Sequence, residues 1–251
     1  MSFNLLCFSG TGNSAYVASS LARILEASTP VRLPAGTVSI AQHATIIWVF
    51  PVYSWGVPPV VAEAIRTIQF SDTPGQHYMV CTCGDDTGYT DRQFHKLIEA
   101  RGWLSAGAFS VIMPNTYVTL PGFDVDSDSV RKHKLAEAPA RIRTIASLIA
   151  AGSTDISMTR GSFPGLKSRI IYPWFIRHLM SPDGFHCSDS CTGCGRCMRR
   201  CPMANITLNA DRHPVWDKNC AFCLACYHIC PEHAIAYRTA TARKGQYICP
   251  L

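Results

Sequence analysis

The sequence lacks a long apolar run and any segment typical of export. Its strongest apolar stretch, Ile46 to Val52, covers seven residues, whereas a membrane-spanning helix needs about 20. Residues 1–7 contain no basic segment, no extended apolar core and no small-residue cleavage site, so we expect no secretory signal and no integral membrane segment. We therefore predict a cytoplasmic location, a reducing compartment where clustered thiols hold metals more often than they form disulfides.

Charged residues are also scarce, and acidic ones are the scarcer kind. Charged side chains make up 16% of the 251 residues, and 17 Asp and Glu stand against 23 Lys and Arg, which gives a formal net charge of +6. A basic balance first suggests nucleic acid or another acidic partner. Hydrophobic residues reach 47%, which supplies an ordinary core and excludes a disordered chain.

Cysteine is abundant, and its distribution divides the chain. Ten of the 13 cysteines lie between Cys187 and Cys249. We predict an N-terminal domain over residues 1–151, a joining segment over residues 152–186 and a C-terminal domain over residues 187–251. The joining segment mixes apolar and basic residues, which allows a membrane-surface helix. Because its basic residues do not form one clean face, packing between the two domains is the interpretation we favour.

Residues 1–151 alternate strand-like with helix-like stretches. Short apolar runs, of which Thr45 to Phe50 is the strongest, precede segments whose apolar residues recur at helical spacing. This alternation indicates crossover connections and a parallel sheet covered on both faces. Five strands suit a doubly wound sheet as well as another small α/β fold, and periodicity does not choose between them. The predicted strands are 3–8, 31–33, 45–50, 77–82 and 106–113.

A glycine-rich turn, Ser9 to Ala15 with the sequence SGTGNSA, follows the first strand. Gly10, Gly12 and Ala15 match the dinucleotide fingerprint, but the second strand supplies no carboxylate for a ribose, and Arg32 there leaves NADP open. The turn has no Gly-Lys-Ser/Thr, which excludes a nucleoside triphosphate loop. Its hydroxyl and amide side chains, with the amides of a helix N-terminus, favour the terminal phosphate of a mononucleotide such as FMN.

Two further loops are expected beside this turn, because ligands of doubly wound folds bind at the carboxyl ends of the strands. The third strand runs into residues 51–55, and the fourth ends in residues 82–85. Tyr53 and Trp55 offer planar rings for stacking, although simple packing explains an isolated loop aromatic equally well. The three loops appearing together in this order favour a flavin site.

The C-terminal part contains two matched cysteine runs. Each has the spacing Cys-x2-Cys-x2-Cys-x3-Cys-Pro, and the second repeats the first 29 residues later. In this bacterial ferredoxin pattern the fourth cysteine serves the other [4Fe-4S] cluster. Structural zinc usually takes two separated pairs of ligands, so we predict two clusters. One is held by Cys191, Cys194, Cys197 and Cys230, and the other by Cys220, Cys223, Cys226 and Cys201.

Cys187 is part of a second, misleading cysteine motif. Together with Cys191 and Cys194 it has the spacing of a radical-SAM cluster loop, but that chemistry needs a barrel, and only 57 residues follow Cys194. We interpret Cys187 as a spare buried thiol. The other cysteines outside the ligand sets are Cys7, Cys81, Cys83 and Cys249.

The turn that begins at Phe8-Ser9 resembles a flavodoxin phosphate loop, and the cysteine runs resemble those of two-[4Fe-4S] bacterial ferredoxins. The combination, with Lys244-Gly-Gln-Tyr247 near the C-terminus, resembles the family of flavodoxin–ferredoxin fusion proteins over nearly the whole chain. The resemblance implies a flavodoxin-like five-stranded doubly wound parallel sheet followed by a small α+β ferredoxin-like domain. It also implies that residues 114–117 lie near the flavin. The implied FMN-binding residues are Ser9, Thr11, Gly12, Asn13, Ser14, Pro51, Val52, Tyr53, Ser54, Trp55, Thr82, Cys83, Gly84 and Asp85.

These cofactors together predict an electron-transfer iron–sulfur flavoprotein that relays electrons between FMN and the clusters, to or from a partner redox enzyme. The alternative is an oxidoreductase whose flavin reduces a small substrate, such as a quinone, with electrons fed through the clusters. The sequence does not decide whether the chain is an enzyme, and we assign no catalytic residue. A cluster-based redox sensor is disfavoured, because no DNA-reading helix pair is recognisable.

The cofactors change the meaning of the basic charge. Each oxidised cluster with its thiolates carries roughly −2, and the flavin phosphate adds about −1.5 to −2, so +6 −4 −2 leaves the loaded protein roughly neutral. We therefore expect no nucleic-acid partner. Arg196, Arg199 and Arg200, beside a cluster motif, are candidates for docking an acidic redox partner. The segment Leu120 to Asp128 is a candidate cover for the flavin or a substrate.

Overall fold

A computed structural model describes residues 2–241 and 243–250. Among these residues are a π-helical turn, Lys167–Ile171, and a 3-10 turn, Pro182–Gly184. The strands are β1 (Phe3–Cys7), β2 (Val31–Arg32), β3 (Thr37–Val38), β4 (Thr45–Pro51), β5 (Gln69–Phe70), β6 (Gln76–Cys83), β7 (Leu104–Ile112), β8 (Ile156–Ser157), β9 (Phe185–Cys187), β10 (Ile206–Leu208), β11 (Pro214–Trp216) and β12 (Ile235–Tyr237). The helices are α1 (Asn13–Ile24), α2 (Pro59–Thr67), α3 (Thr90–Glu99), α4 (Asp128–Ala150), α5 (Pro164–Leu166), α6 (Tyr172–His178), α7 (Arg196–Arg200) and α8 (Ala225–Ile229).

The N-terminal part is a parallel α/β sheet with the strand order β2-β1-β4-β6-β7-β8. Five of these strands are the predicted ones, in doubly wound order. The sixth, β8, pairs with β7 at the sheet edge and falls in the stretch assigned to the joining segment. The predicted strand number was therefore one too low. Residues 31–33 around β2 alternate apolar, polar and apolar, whereas β8 has a single apolar residue, Ile156, next to polar neighbours.

The core lies on both faces of this sheet because its strands alternate. Along β4, Trp48 and Phe50 pack with α2 and α3, whereas Ile47 and Val49 pack with α1 and α4. The order of the strands reverses between β1 and β4, so a crevice opens there at the carboxyl ends of the strands. The glycine-rich turn after β1 and the loop after β4 flank this crevice.

The C-terminal part is a small α+β unit that repeats itself. At an offset of 29 residues, β9 corresponds to β11, α7 to α8 and β10 to β12. The strands pair antiparallel across the repeat, β9 with β12 and β10 with β11. An aromatic core of Phe185, Phe222 and Tyr237 holds the two repeats together. No helix in the described part of the chain is both long and apolar enough to span a bilayer.

The helical stretch from α5 to α6 contacts both parts of the molecule. The Ser168 hydroxyl donates to the Trp55 carbonyl at 2.8 Å and accepts from the Tyr89 amide at 2.7 Å. Phe175, about two turns further along, is buried in the aromatic core of the C-terminal part. The inner face of this stretch therefore packs between the two parts, as its composition suggested.

Candidate functional site

A cavity of about 120 Å³ opens at the carboxyl ends of β1, β4, β6 and β7. Parts of all three predicted flavin loops line it. Eleven of the 14 predicted FMN residues belong to the lining: Ser9, Thr11, Asn13, Ser14, Pro51, Val52, Tyr53, Ser54, Thr82, Cys83 and Gly84.

The glycine-rich turn ends in a helix N-terminus without a side-chain cap. Gly12 adopts φ 107, a left-handed conformation that favours glycine, and α1 begins at Asn13. Asn13 donates its side-chain amide to the Pro114 carbonyl at 2.9 Å, and the Ser14 hydroxyl hydrogen-bonds that of Thr82 at 2.8 Å. These contacts tie the turn to the ends of β6 and β7, while the first amides of α1 lack a capping side chain.

Tyr53 is an unusual polar residue of the cavity wall. Its hydroxyl is buried and has no hydrogen-bond partner. Burial raises the pKa of Tyr53 well above its usual value, and the neighbouring Cys223 and Cys220 raise it further. Because buried hydroxyls rarely lack a partner, this group is a candidate for contacting a ligand.

The three other predicted residues do not line the cavity. Gly12 faces the C-terminal tail, where an added Cβ would lie 2.9 Å from the Cys249 Cβ. Trp55 lies beside the joining segment, with Lys167 Nζ at 5.0 Å from its ring centroid. The carboxylate of Asp85 accepts from the Asn115 side-chain amide at 3.2 Å.

The loop after β7 completes the near wall. Pro114, Asn115, Thr116 and Tyr117 all belong to the lining; they are the residues that the family resemblance predicts near a flavin. The neighbouring segment 120–128 does not line the cavity. It contacts the cavity wall from behind, where Asp126 accepts from the Asn115 amide at 3.0 Å. It also contacts the C-terminal tail, where Lys244 donates to the Leu120 carbonyl at 2.6 Å and the Gly245 amide donates to Asp124 at 3.0 Å.

The far wall of the cavity comes from the other end of the chain. Phe175, Phe222, Cys223 and Leu224 line it, and no local sequence pattern connects them with the flavin loops. The approach is closest at Gly10, where an added Cβ would stand 2.5 Å from the Cys223 carbonyl oxygen. Cys223, a predicted cluster ligand, is thus also part of the cavity wall.

The predicted ligands of the first cluster surround a second, smaller cavity. Cys191, Cys194, Cys197 and Cys230 all line it, so the fourth cysteine of the second run joins the first three of the first run. Cys194 is exposed, and its pKa is lowered because the Arg196 amide hydrogen-bonds to its sulfur. We call this group the outer cage.

The other four cysteines, Cys220, Cys223, Cys226 and Cys201, form what we call the inner cage. The pKa of the Cys223 thiol is raised to about 12, chiefly by burial and then by Cys220 and Cys201. Backbone amides point at two sulfurs: the Asn205 amide donates to Cys201 at 3.3 Å and the Phe222 amide to Cys220 at 3.3 Å. Such hydrogen bonds to sulfur tune iron–sulfur clusters.

The cysteines of both cages are free thiols. In residues 2–241 and 243–250, no group of His, Cys, Asp or Glu side chains is tight enough for one metal ion, whereas a four-iron cube takes four cysteines around a larger body. Cys187 differs from its prediction: it is only half-buried. Its pKa is raised first by burial and then by the neighbouring Cys191.

His228 links the inner cage to the cavity. Its Nδ1 accepts from the Tyr247 amide at 3.1 Å, so the proton lies on Nε2, which donates to the Thr116 carbonyl at 2.8 Å. Burial lowers the pKa of His228 to about 4. The Tyr247 hydroxyl in turn donates to Asn13 at 2.9 Å, so the tail anchors the glycine-rich turn to the second cysteine run.

Comparison with known proteins identifies the C-terminal part. The family model for the 4Fe-4S dicluster domain matches residues 185–245, about a quarter of the chain. No curated protein and no solved structure matches. The matched segment contains both cysteine runs, and such domains carry electrons one at a time. The chain therefore carries a 4Fe-4S dicluster domain that supports an electron-transfer role.

Proposed function

We propose that the protein is an electron carrier that binds FMN in the cavity and one [4Fe-4S] cluster in each cysteine cage. The observation that best supports this proposal is that Cys223 belongs both to the inner cage and to the cavity wall. When bound, FMN exchanges two electrons and can release them singly, which matches it to one-electron clusters. A ligand shared by cage and cavity keeps the electron path within one chain, with no diffusional encounter.

The residues of the cavity suit the polar ends of FMN. The uncapped amides of α1, with Ser9, Thr11 and Asn13, would hold the terminal phosphate. The partnerless Tyr53 hydroxyl offers a hydrogen bond to the flavin. The enclosed volume, about 120 Å³, is below the roughly 300–1,000 Å³ of typical small-molecule pockets. Part of the bound FMN would accordingly lie in the open mouth of the cavity.

The far wall of the cavity favours a carrier over the alternative enzyme. A quinone reductase needs free space over the flavin ring for its substrate, and Phe175, Phe222 and Leu224 close the far wall. A carrier needs only one edge of the ring near its redox partner. We retain the cytoplasm as the proposed location.

The outer cage is the proposed contact with an external redox partner. Cys194 is exposed there, and Arg196 and Arg199 are exposed on α7 beside it. Arg200 differs, because it lines a separate cavity with Ser9 and Arg32. Two of the three candidate arginines are thus available to an acidic partner at this surface.

Anaerobic purification followed by iron, sulfide and flavin analysis tests the proposal. About eight irons and one FMN per chain are expected from the two cages and the single cavity. Zinc in place of iron, or folded protein that takes up no FMN, would refute it. Turnover of a quinone with NAD(P)H and no partner protein would instead support the enzyme.

A further inference from the structure

An apolar face lies exposed along the helical stretch from α5 to α6. Its large side chains are solvent-exposed to 77% at Phe163, 51% at Leu166, 63% at Ile170 and 54% at Trp174. They recur every three or four residues and therefore share one side of the stretch. We call these four residues the outer face. Contiguous exposure of this kind marks an interaction surface rather than ordinary scatter.

The outer face is held rigidly by its opposite side. Ser168 is buried and bridges the Trp55 carbonyl and the Tyr89 amide. Tyr172 donates its hydroxyl to the Val57 carbonyl, and Phe175 lines the flavin cavity. The stretch is thus fixed to both parts of the molecule, and the exposure of its outer side does not come from fraying.

The charged side chains of this stretch are all basic. Between Asp155 and Asp183 the sequence contains no acidic residue. Arg169 and Arg177 are exposed beside the four apolar side chains. Lys167, by contrast, turns inward to an ion pair with Asp86 at 2.6 Å. The free positive charge of the stretch therefore lies on its exposed side.

We propose that the outer face docks on a membrane surface that contains anionic phospholipid. Trp, Phe and Leu side chains beside arginines are typical of helices that lie in the headgroup layer. Arg169 and Arg177 would contact lipid phosphates while the apolar side chains enter the layer. A second copy of the chain is a poorer occupant, because a two-fold contact on this face would bring like charges together.

Flotation of the cofactor-loaded protein with vesicles tests this proposal. Vesicles of equal parts phosphatidylcholine and phosphatidylglycerol are expected to bind the protein, and vesicles of phosphatidylcholine alone to bind it much less. The double variant Arg169→Glu/Arg177→Glu should bind at least about thirty-fold more weakly, since each arginine near an anionic surface contributes a few-fold to tenfold. Ile170→Ser/Trp174→Ser should lose most binding.

A matched control uses exposed apolar residues elsewhere. Leu104 and Val215 are exposed to 60% and 47%, and Leu104→Ser/Val215→Ser should bind vesicles like the unaltered chain. Equal binding to both vesicle types, or binding that survives both outer-face variants, would overturn the proposal. A dimer that Ile170→Ser/Trp174→Ser dissociates would also overturn it, by giving this face to a second copy. Vesicle binding is measured independently of electron transfer. A negative result would therefore overturn the membrane proposal without overturning the proposed function.

Discussion

The two cysteine runs have the same backbone but different neighbours. Gly195 and Leu224 precede α7 and α8 in the same left-handed conformation, at φ 69 and φ 59, and Cys201 and Cys230 end both helices in extended backbone. The residues between the cysteines differ. Where the first run has Gly195 and Arg199, the second has Leu224 and His228, 29 positions on.

This difference shows that the residues that bind a cluster and the residues that decide what the cluster faces are not the same. The shared spacing fixes how a loop wraps a cluster, whereas the intervening side chains fix what each cage faces. Phe222 and Leu224 are buried against the cavity, and Arg196 and Arg199 are exposed to solvent. The inner cage therefore faces the cavity, and the outer cage faces solvent.

The largest expected effect comes from removing one corresponding ligand from each cage. Cys223→Ser and Cys194→Ser each lose one cluster, so iron should fall from about eight to about four per chain. Only Cys223→Ser should abolish electron transfer from reduced FMN to the remaining cluster, because it breaks the cage next to the cavity. Anaerobic stopped-flow absorption measures this transfer.

Far-ultraviolet circular dichroism controls for folding in both cysteine variants. Equal slowing of the internal transfer in the two would contradict the assignment of the inner cage as the nearer one. Faster internal transfer in Cys223→Ser than in Cys194→Ser would reverse it.

A smaller effect is expected from reversing the positive charges beside the outer cage. Arg196→Glu/Arg199→Glu should slow oxidation of the reduced protein by anionic ferricyanide about tenfold at low salt, since exposed charges steer encounter. Oxidation by a cationic viologen should not slow. The matched control, Arg23→Glu/Arg143→Glu, changes two exposed arginines on α1 and α4 and should leave the ferricyanide rate within about twofold. Equal slowing by the two double variants would show a net-charge effect rather than docking at the outer cage.

Strong local patterns were sufficient for much of this molecule. The β-branched run of β4 was predictable from its residues, whereas the doubly wound order was expected only from the family resemblance. The two cages follow from spacing alone, because cluster ligation imposes that spacing. The two-residue β8 carries no such pattern.

The far wall of the cavity was not predictable for a different reason. Phe175, Phe222 and Leu224 line the same cavity as the predicted flavin loops, from which they are about 90 or more residues away in the sequence. Their apolar character also fits an ordinary core. Likewise, Arg200 follows Arg199 directly, yet it faces another cavity. Packing between the two parts decides which side of a short helix faces a cavity. Local helix propensity carries no information about that packing.

The smallest expected effect tests the backbone that the runs share. Gly195 has φ 69, and an added Cβ would meet first the end of the Arg199 side chain, at 3.1 Å. Because that side chain is flexible, Gly195→Ala should cost chiefly the left-handed strain, about 1–2 kcal/mol of unfolding free energy, and lower Tm by a few degrees. Gly36→Ala is the control, since nothing lies within 4 Å of its added Cβ, and it should leave Tm unchanged or slightly raised. Thermal unfolding of the cluster-loaded protein, followed anaerobically by circular dichroism, measures both. If Gly195→Ala is as stable as Gly36→Ala, the first run does not need glycine for its backbone, and the contrast with Leu224 reflects only what each side chain faces.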